Sequence, residues 1–123
     1  MPIRIKGKQG MAQHSRQAAS DILDWGHLAR YTLGSPVLEQ EIIDLFLPQL
    51  AQITARLKTA PDTATWRLAV HTLKGSAAAV GAIQIGAIAA GLEELGFESP
   101  AACRADVIAA LDVAIGLFRE AAG

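Results

Sequence analysis

His71, Lys74 and Gly75 are the residues of this chain whose types and spacing best suit chemistry. Histidine is the residue type whose ordinary pKa leaves a neutral, nucleophilic ring nitrogen at cellular pH. An ammonium three residues on, about 60° around a helix, can approach the oxygens of a group carried on that ring. A glycine one turn after the imidazole leaves bare backbone beside it. Glycine inside a helix costs about 1 kcal/mol relative to alanine. Gly75 therefore asks for a reason outside helix stability, and close approach of a second molecule supplies one. The chemistry that suits such a group is attack on phosphorus, which depends mostly on positioning and on stabilising charge over the equatorial oxygens.

These residues need a helix to hold them, and the pattern around them supplies one. At ~100° per residue, Trp66, Ala69, Val70, Leu73, Ala77 and Val80 fall on one side as a core-facing stripe. His71, Gly75, Ala78 and Ala79 project from the other side, with Lys74 and Arg67 on its flank. Ser76 points toward the bundle and suits packing or backbone bonding. Leu68 falls one turn before His71, nearer the exposed face than the core. With Ala64, Arg67 and Ala78 it makes a small, flat surface around the imidazole that fits a docking partner. Leu47, on the preceding helix and off its core stripe, is expected to extend that surface as an exposed apolar residue. The turn Ala60-Pro61-Asp62-Thr63 precedes this helix, with Asp62 or Thr63 as its cap.

The run His71-x-Leu73-Lys74-Gly75-Ser76, a small-residue stretch and Gly81-Ala82 resembles the signature of the histidine-containing phosphotransfer (HPt) family. The flanks fit as well, with an apolar helix around Phe46 before the motif and Leu92-Glu93 after it. The likeness spans roughly residues 20 to 120. It implies a phosphorelay intermediate of a two-component system, a phosphocarrier without kinase activity of its own. His71 would take a phosphoryl group from a receiver-domain aspartate and pass it to another response regulator. The implied partners are receiver domains and a sensor (hybrid) histidine kinase. The receiver would bring its phosphorylated aspartate, an active-site lysine and magnesium, so this chain is expected to need no cofactor.

Composition supports the same class. The chain has 123 residues, 51% hydrophobic but only 5% aromatic, which suits packed helices in one domain. Net charge is −1 with no long run of one sign, so neither nucleic acid nor a membrane surface is an expected partner. A single cysteine, Cys103, excludes an intrachain disulfide and is read as a small core or surface residue. His14, His27 and His71 lie in different elements, so no metal site is expected. There is no Gly-rich phosphate loop, no acidic cluster suited to magnesium and no nucleophile–base–orienter set, which argues against a kinase or hydrolase. No apolar run approaches ~18 residues and no signal peptide is visible, so a cytoplasmic location is expected. The chain is read as a monomer, with dimerisation of the bundle left open.

The expected architecture is all-α: an antiparallel up-down four-helix bundle with a short extra N-terminal helix. Residues 1–18 read as a disordered leader and residues 19–122 as the domain. The short helix is expected from a cap at Ser20 or Asp21 to Thr32, apolar through Ile22, Leu23, Trp25, Leu28 and Tyr31. His27 within it reads as a packed or surface residue. Ser35-Pro36 opens the next helix, whose core side is read as Leu38, Ile42, Leu45, Phe46, Ile53 and Leu57, with a kink at Pro48. A helix over Gln84–Leu95 follows the motif, with Gly86 and Gly91 attributed to close helix contact and Gly96 as its stop. Ser99-Pro100 opens the last helix, striped by Val107, Leu111, Ile115 and Phe118. Two other readings remain at this point. One is a helical adaptor without phosphotransfer. The other is the phosphotransfer domain of a chemotaxis-type kinase, which shares the motif.

Overall fold

The computed structural model describes residues 21–123, and the proposed leader, with Ser20 and His14, lies outside the described residues. Five helices follow in order: α1 (Trp25–Thr32), α2 (Pro36–Thr59), α3 (Thr63–Val80), α4 (Ile83–Leu95) and α5 (Ala101–Ala122). The fold is an all-α helical bundle. α2 packs on α3, α3 on α4, α4 on α5, and α5 back on α2, while the short α1 lies against α2.

Local chemistry sets the helix ends. Ser35 caps α2 by accepting from the Leu38 N–H, and Pro36 occupies the first turn, where its missing donor is harmless. Asp62 caps α3, accepting from the Thr65 N–H at 2.8 Å. Pro48 sits inside α2, which runs unbroken across it. Asp24, not Ser20 or Asp21, caps α1 by accepting from the His27 N–H. The expected helix start is therefore corrected by several residues, because Ile22 and Leu23 do other work. Leu23 pairs as an isolated antiparallel bridge with Ala82, Asp24 N–H donates to Gly81 O at 2.8 Å, and Ile83 N–H donates to Ile22 O at 2.9 Å. This clip fixes the entry of the chain onto the α3–α4 corner. It also explains Gly81, which has φ +84° and where a Cβ would meet the Asp24 carbonyl oxygen at 3.1 Å.

The core is built where the motif helix points its stripe. Trp66, Ala69, Val70, Leu73, Ala77 and Val80 are all buried, against Ile43, Phe46, Leu50, Ile53 and Leu57 of α2 and Ile85, Ala89 and Leu92 of α4. Phe118 of α5 meets Phe46 edge-on, with centroids 5.2 Å apart. The two buried threonines return their hydroxyls to carbonyls one turn back, Thr32 to Leu28 and Thr54 to Leu50.

Several burial expectations are corrected. Leu38 and Leu45, read as core, are exposed, and α2 instead buries Ile43 and Leu50. Tyr31, read as the apolar side of α1, is exposed as well. Cys103 is at the surface, one of the two places expected for it. A Cβ at Gly91 would meet nothing within 4 Å, so close helix contact does not explain that glycine. At Gly86 the nearest atom, Ala77 Cβ, lies at an ordinary 3.8 Å.

Candidate functional site

The site is one exposed face of α3 and the grooves beside it. With Trp66, Val70, Leu73 and Ala77 held in the core, the helical period turns Ala64, Arg67, Leu68, His71, Lys74, Gly75 and Ala78 outward, and all seven are exposed. Around Gly75 the surface is open, because a Cβ there would meet nothing within 4 Å. The imidazole thus stands on a helix whose next turn presents bare backbone to solvent.

On one flank α3 faces α4. A groove of about 310 Å³ runs there between Trp66, Arg67, Val70 and His71 on α3 and Glu93, Gly96, Phe97 and Glu98 on and after α4. Lys74 leans the same way, its Nζ 3.1 Å from Glu93 Oε1. Glu93 enters the site as a residue whose role the sequence reading missed. Its signal was present only as part of the Leu92-Glu93 pair, since nothing local says which residue nineteen positions earlier it will meet. At the lower end of the groove Thr63 donates its hydroxyl to Glu98, and Arg104 holds the α4–α5 turn by donating to the Phe97 and Ser99 carbonyls. Arg104 also lies over the Phe97 ring, 4.6 Å from its centroid.

On the other flank α3 faces α2, and here the expectation that Leu47 is an exposed apolar residue is corrected. Leu47 is half-buried in the groove between α2 and α5, with Ala51, Thr54, Ala55 and Lys58. That groove is on the side of the ring away from His71. Leu45 is about 160° around the helix from Leu47, so it points away from that groove, and it is 76% exposed. Leu68 of α3 is 63% exposed. Leu38, seven residues before Leu45 and about 20° away around the helix, shares the face of Leu45 and is 46% exposed.

Beyond the last turn of the motif helix, α1 closes the site's upper end. His27 Nε2 lies 3.0 Å from the Ala79 carbonyl oxygen. A carbonyl only accepts, so Nε2 must carry the proton. A groove of about 300 Å³ there is lined by Asp24, His27, Lys74, Ala78 and Gly86 among others. Among the described residues no group of His, Cys, Asp and Glu is placed to hold a metal ion.

An exposed imidazole with open backbone beside it suits a group that meets its reaction partner on a surface. The family model for the Hpt domain matches residues 41–121, which spans α2 from its second turn to nearly the end of α5. The chain belongs to the Hpt domain family. Comparison with curated proteins and with solved structures found no match. Hpt domains are phosphocarrier modules of two-component and phosphorelay signalling, working with histidine kinases and response regulators through histidine phosphotransfer. In this Hpt domain the motif histidine sits midway along α3, on its exposed face. No helix among the described residues is long and apolar enough to cross a membrane.

Proposed function

We propose that this Hpt domain is a phosphorelay intermediate that accepts a phosphoryl group on His71 from a receiver aspartate and donates it to a second receiver. The observation that supports this best is the pairing of an exposed imidazole with the open backbone at Gly75 one turn on. In the forward step a ring nitrogen lone pair forms the N–P bond while the aspartyl O–P bond breaks. The electron pair leaves with the carboxylate, and the proton on the other ring nitrogen passes to solvent. Lys74 contributes charge beside the equatorial oxygens. Magnesium and the remaining positive charge come from the receiver, which docks across Ala64, Arg67, Leu68 and Ala78 of α3, with Leu45 of α2 beside them.

The test is to incubate wild-type and His71→Gln protein with a phosphorylated receiver domain and magnesium. The expected result is an acid-labile, alkali-stable label on the wild type alone, removed by a second receiver. Because His71 is exposed, the variant should keep its helix content. Equal labelling of the His71→Gln protein would reject His71 as the acceptor, and failure of a panel of receivers to label either protein would favour a helical adaptor.

A further inference from the structure

We infer that Glu93 is a positioning residue that holds Lys74 away from the phosphoryl site until the phosphoryl group arrives, and so sets how readily His71 is phosphorylated. The inference rests on the phosphotransfer reading of His71 and adds a regulation of that site. Lys74 Nζ lies 3.1 Å from Glu93 Oε1, a bridge from the motif helix to α4. The two side chains are 44% and 54% exposed, so the pair is solvated, weakly held and easily exchanged. Glu93 and His71 border the same groove.

A phosphoryl group on His71 brings nearly two negative charges and three acceptor oxygens to this edge of α3. That charge outcompetes the single carboxylate of Glu93 for the ammonium, and it also repels Glu93. The lysine stem is long and flexible enough to change partners without moving the backbone. In the unphosphorylated protein Glu93 therefore satisfies Lys74. In the phosphorylated protein Lys74 turns to the phosphoryl oxygens and Glu93 is left to solvent. The exchange opposes phosphorylation in proportion to what the ion pair was worth.

The experiment uses phosphoramidate as a small donor, so that no partner surface intervenes. The His71 ring nitrogen forms the N–P bond as the donor's P–N bond breaks; ammonia leaves with the electron pair, and the second ring N–H proton is released to solvent. Initial rates of His71 labelling are compared for wild type, Glu93→Gln, Lys74→Ala and the double variant, at low and at high salt. Glu93→Gln should label about 3-fold faster than wild type at low salt, the gain expected from releasing an exposed ion pair. That gain should shrink at high salt. Lys74→Ala should label more slowly, and adding Glu93→Gln to it should change little, because Glu93 acts through Lys74. An equal effect of Glu93→Gln in both backgrounds, no effect in either, or slower labelling of the single variant would each overturn the inference. Labelling by phosphoramidate needs no receiver. Normal transfer from receivers with an inert Glu93→Gln thus defeats this inference alone, while the expected rates without any receiver transfer defeat only the relay.

Discussion

The His27 ring donates through Nε2 to the Ala79 carbonyl oxygen at 3.0 Å, joining α1 to the last turn of the helix that carries His71. The carbonyls of a helix's last turn lack partners within the helix, so a side-chain donor there has high value. The same ring meets Tyr31 edge-on at 5.2 Å, which holds its plane. His27→Ala should lower stability by about 1–2 kcal/mol, the sum of one hydrogen bond and one aromatic contact. Urea melts would measure it. Labelling of His71 by phosphoramidate should be unchanged, because the lost contacts lie two turns beyond the imidazole.

Gly75 separates stability from function. Since a Cβ there meets nothing within 4 Å, the fold itself does not ask for glycine. Gly75→Ala should therefore raise stability by about 0.5–1 kcal/mol, the gain expected from removing a helical glycine. Gly75→Gln should keep the fold and slow transfer from a receiver at least 10-fold, by standing where the partner's backbone must approach. Melting curves and receiver-dependent labelling check the two halves separately. Normal transfer in Gly75→Gln would remove close approach as the reason for this glycine.

How much of this was legible in the sequence depends on the helix. For α3 the six apolar residues from Trp66 to Val80 share one stripe, and the other face is small or polar apart from Leu68, so only one orientation buries the stripe. All six are buried and His71 is exposed, as the period requires. In α2, apolar residues occupy several faces. Leu38 and Leu45 compete with Ile43, Leu47 and Leu50 for the core, and the neighbours α3 and α5 decide the outcome. Periodicity alone has no access to those neighbours. The clip of Leu23 on Ala82 and the bridge of Lys74 to Glu93 join residues far apart in the chain, so neither leaves a local signal. The Asp24 cap was missed because the apolar Ile22 and Leu23 before it read as the first turn of the helix.

The start of the motif helix should respond to acid. The Thr65 backbone N–H bonded to the Asp62 carboxylate, and then the Thr65 hydroxyl, hold the Asp62 pKa below the usual carboxylate value. A group whose pKa is lowered on folding stabilises the protein above its unfolded pKa, and that contribution is lost as pH falls through the folded value. Asp62→Ala should lower the Tm by a few degrees at neutral pH through loss of the cap. The gap from wild type should narrow as pH falls below about 4, where the carboxylate protonates. A gap independent of pH from 7 to 2 would show that the charge on Asp62 contributes nothing.

Leu45 and Leu47 give the sharpest test of how α2 meets a partner. They are two residues apart and face opposite ways, Leu45 76% exposed and turned away from the α5 groove, and Leu47 packed against the core at that groove. Leu45→Gln removes no buried contact, so stability should stay within about 0.5 kcal/mol of wild type. If the receiver covers Leu45, burying that side chain contributes about 1–2 kcal/mol to docking at ~25 cal/mol per Å². The variant should then show a KM for receiver-dependent transfer raised roughly 5- to 30-fold, with labelling by phosphoramidate unchanged. Leu47→Gln should do the reverse. It places a polar amide against the core and should cost about 1–3 kcal/mol of stability, yet leave the KM for the receiver unaltered. The reverse pattern would place the receiver on the α2–α5 side of the bundle, and equal KM values for both variants and wild type would confine docking to α3 itself.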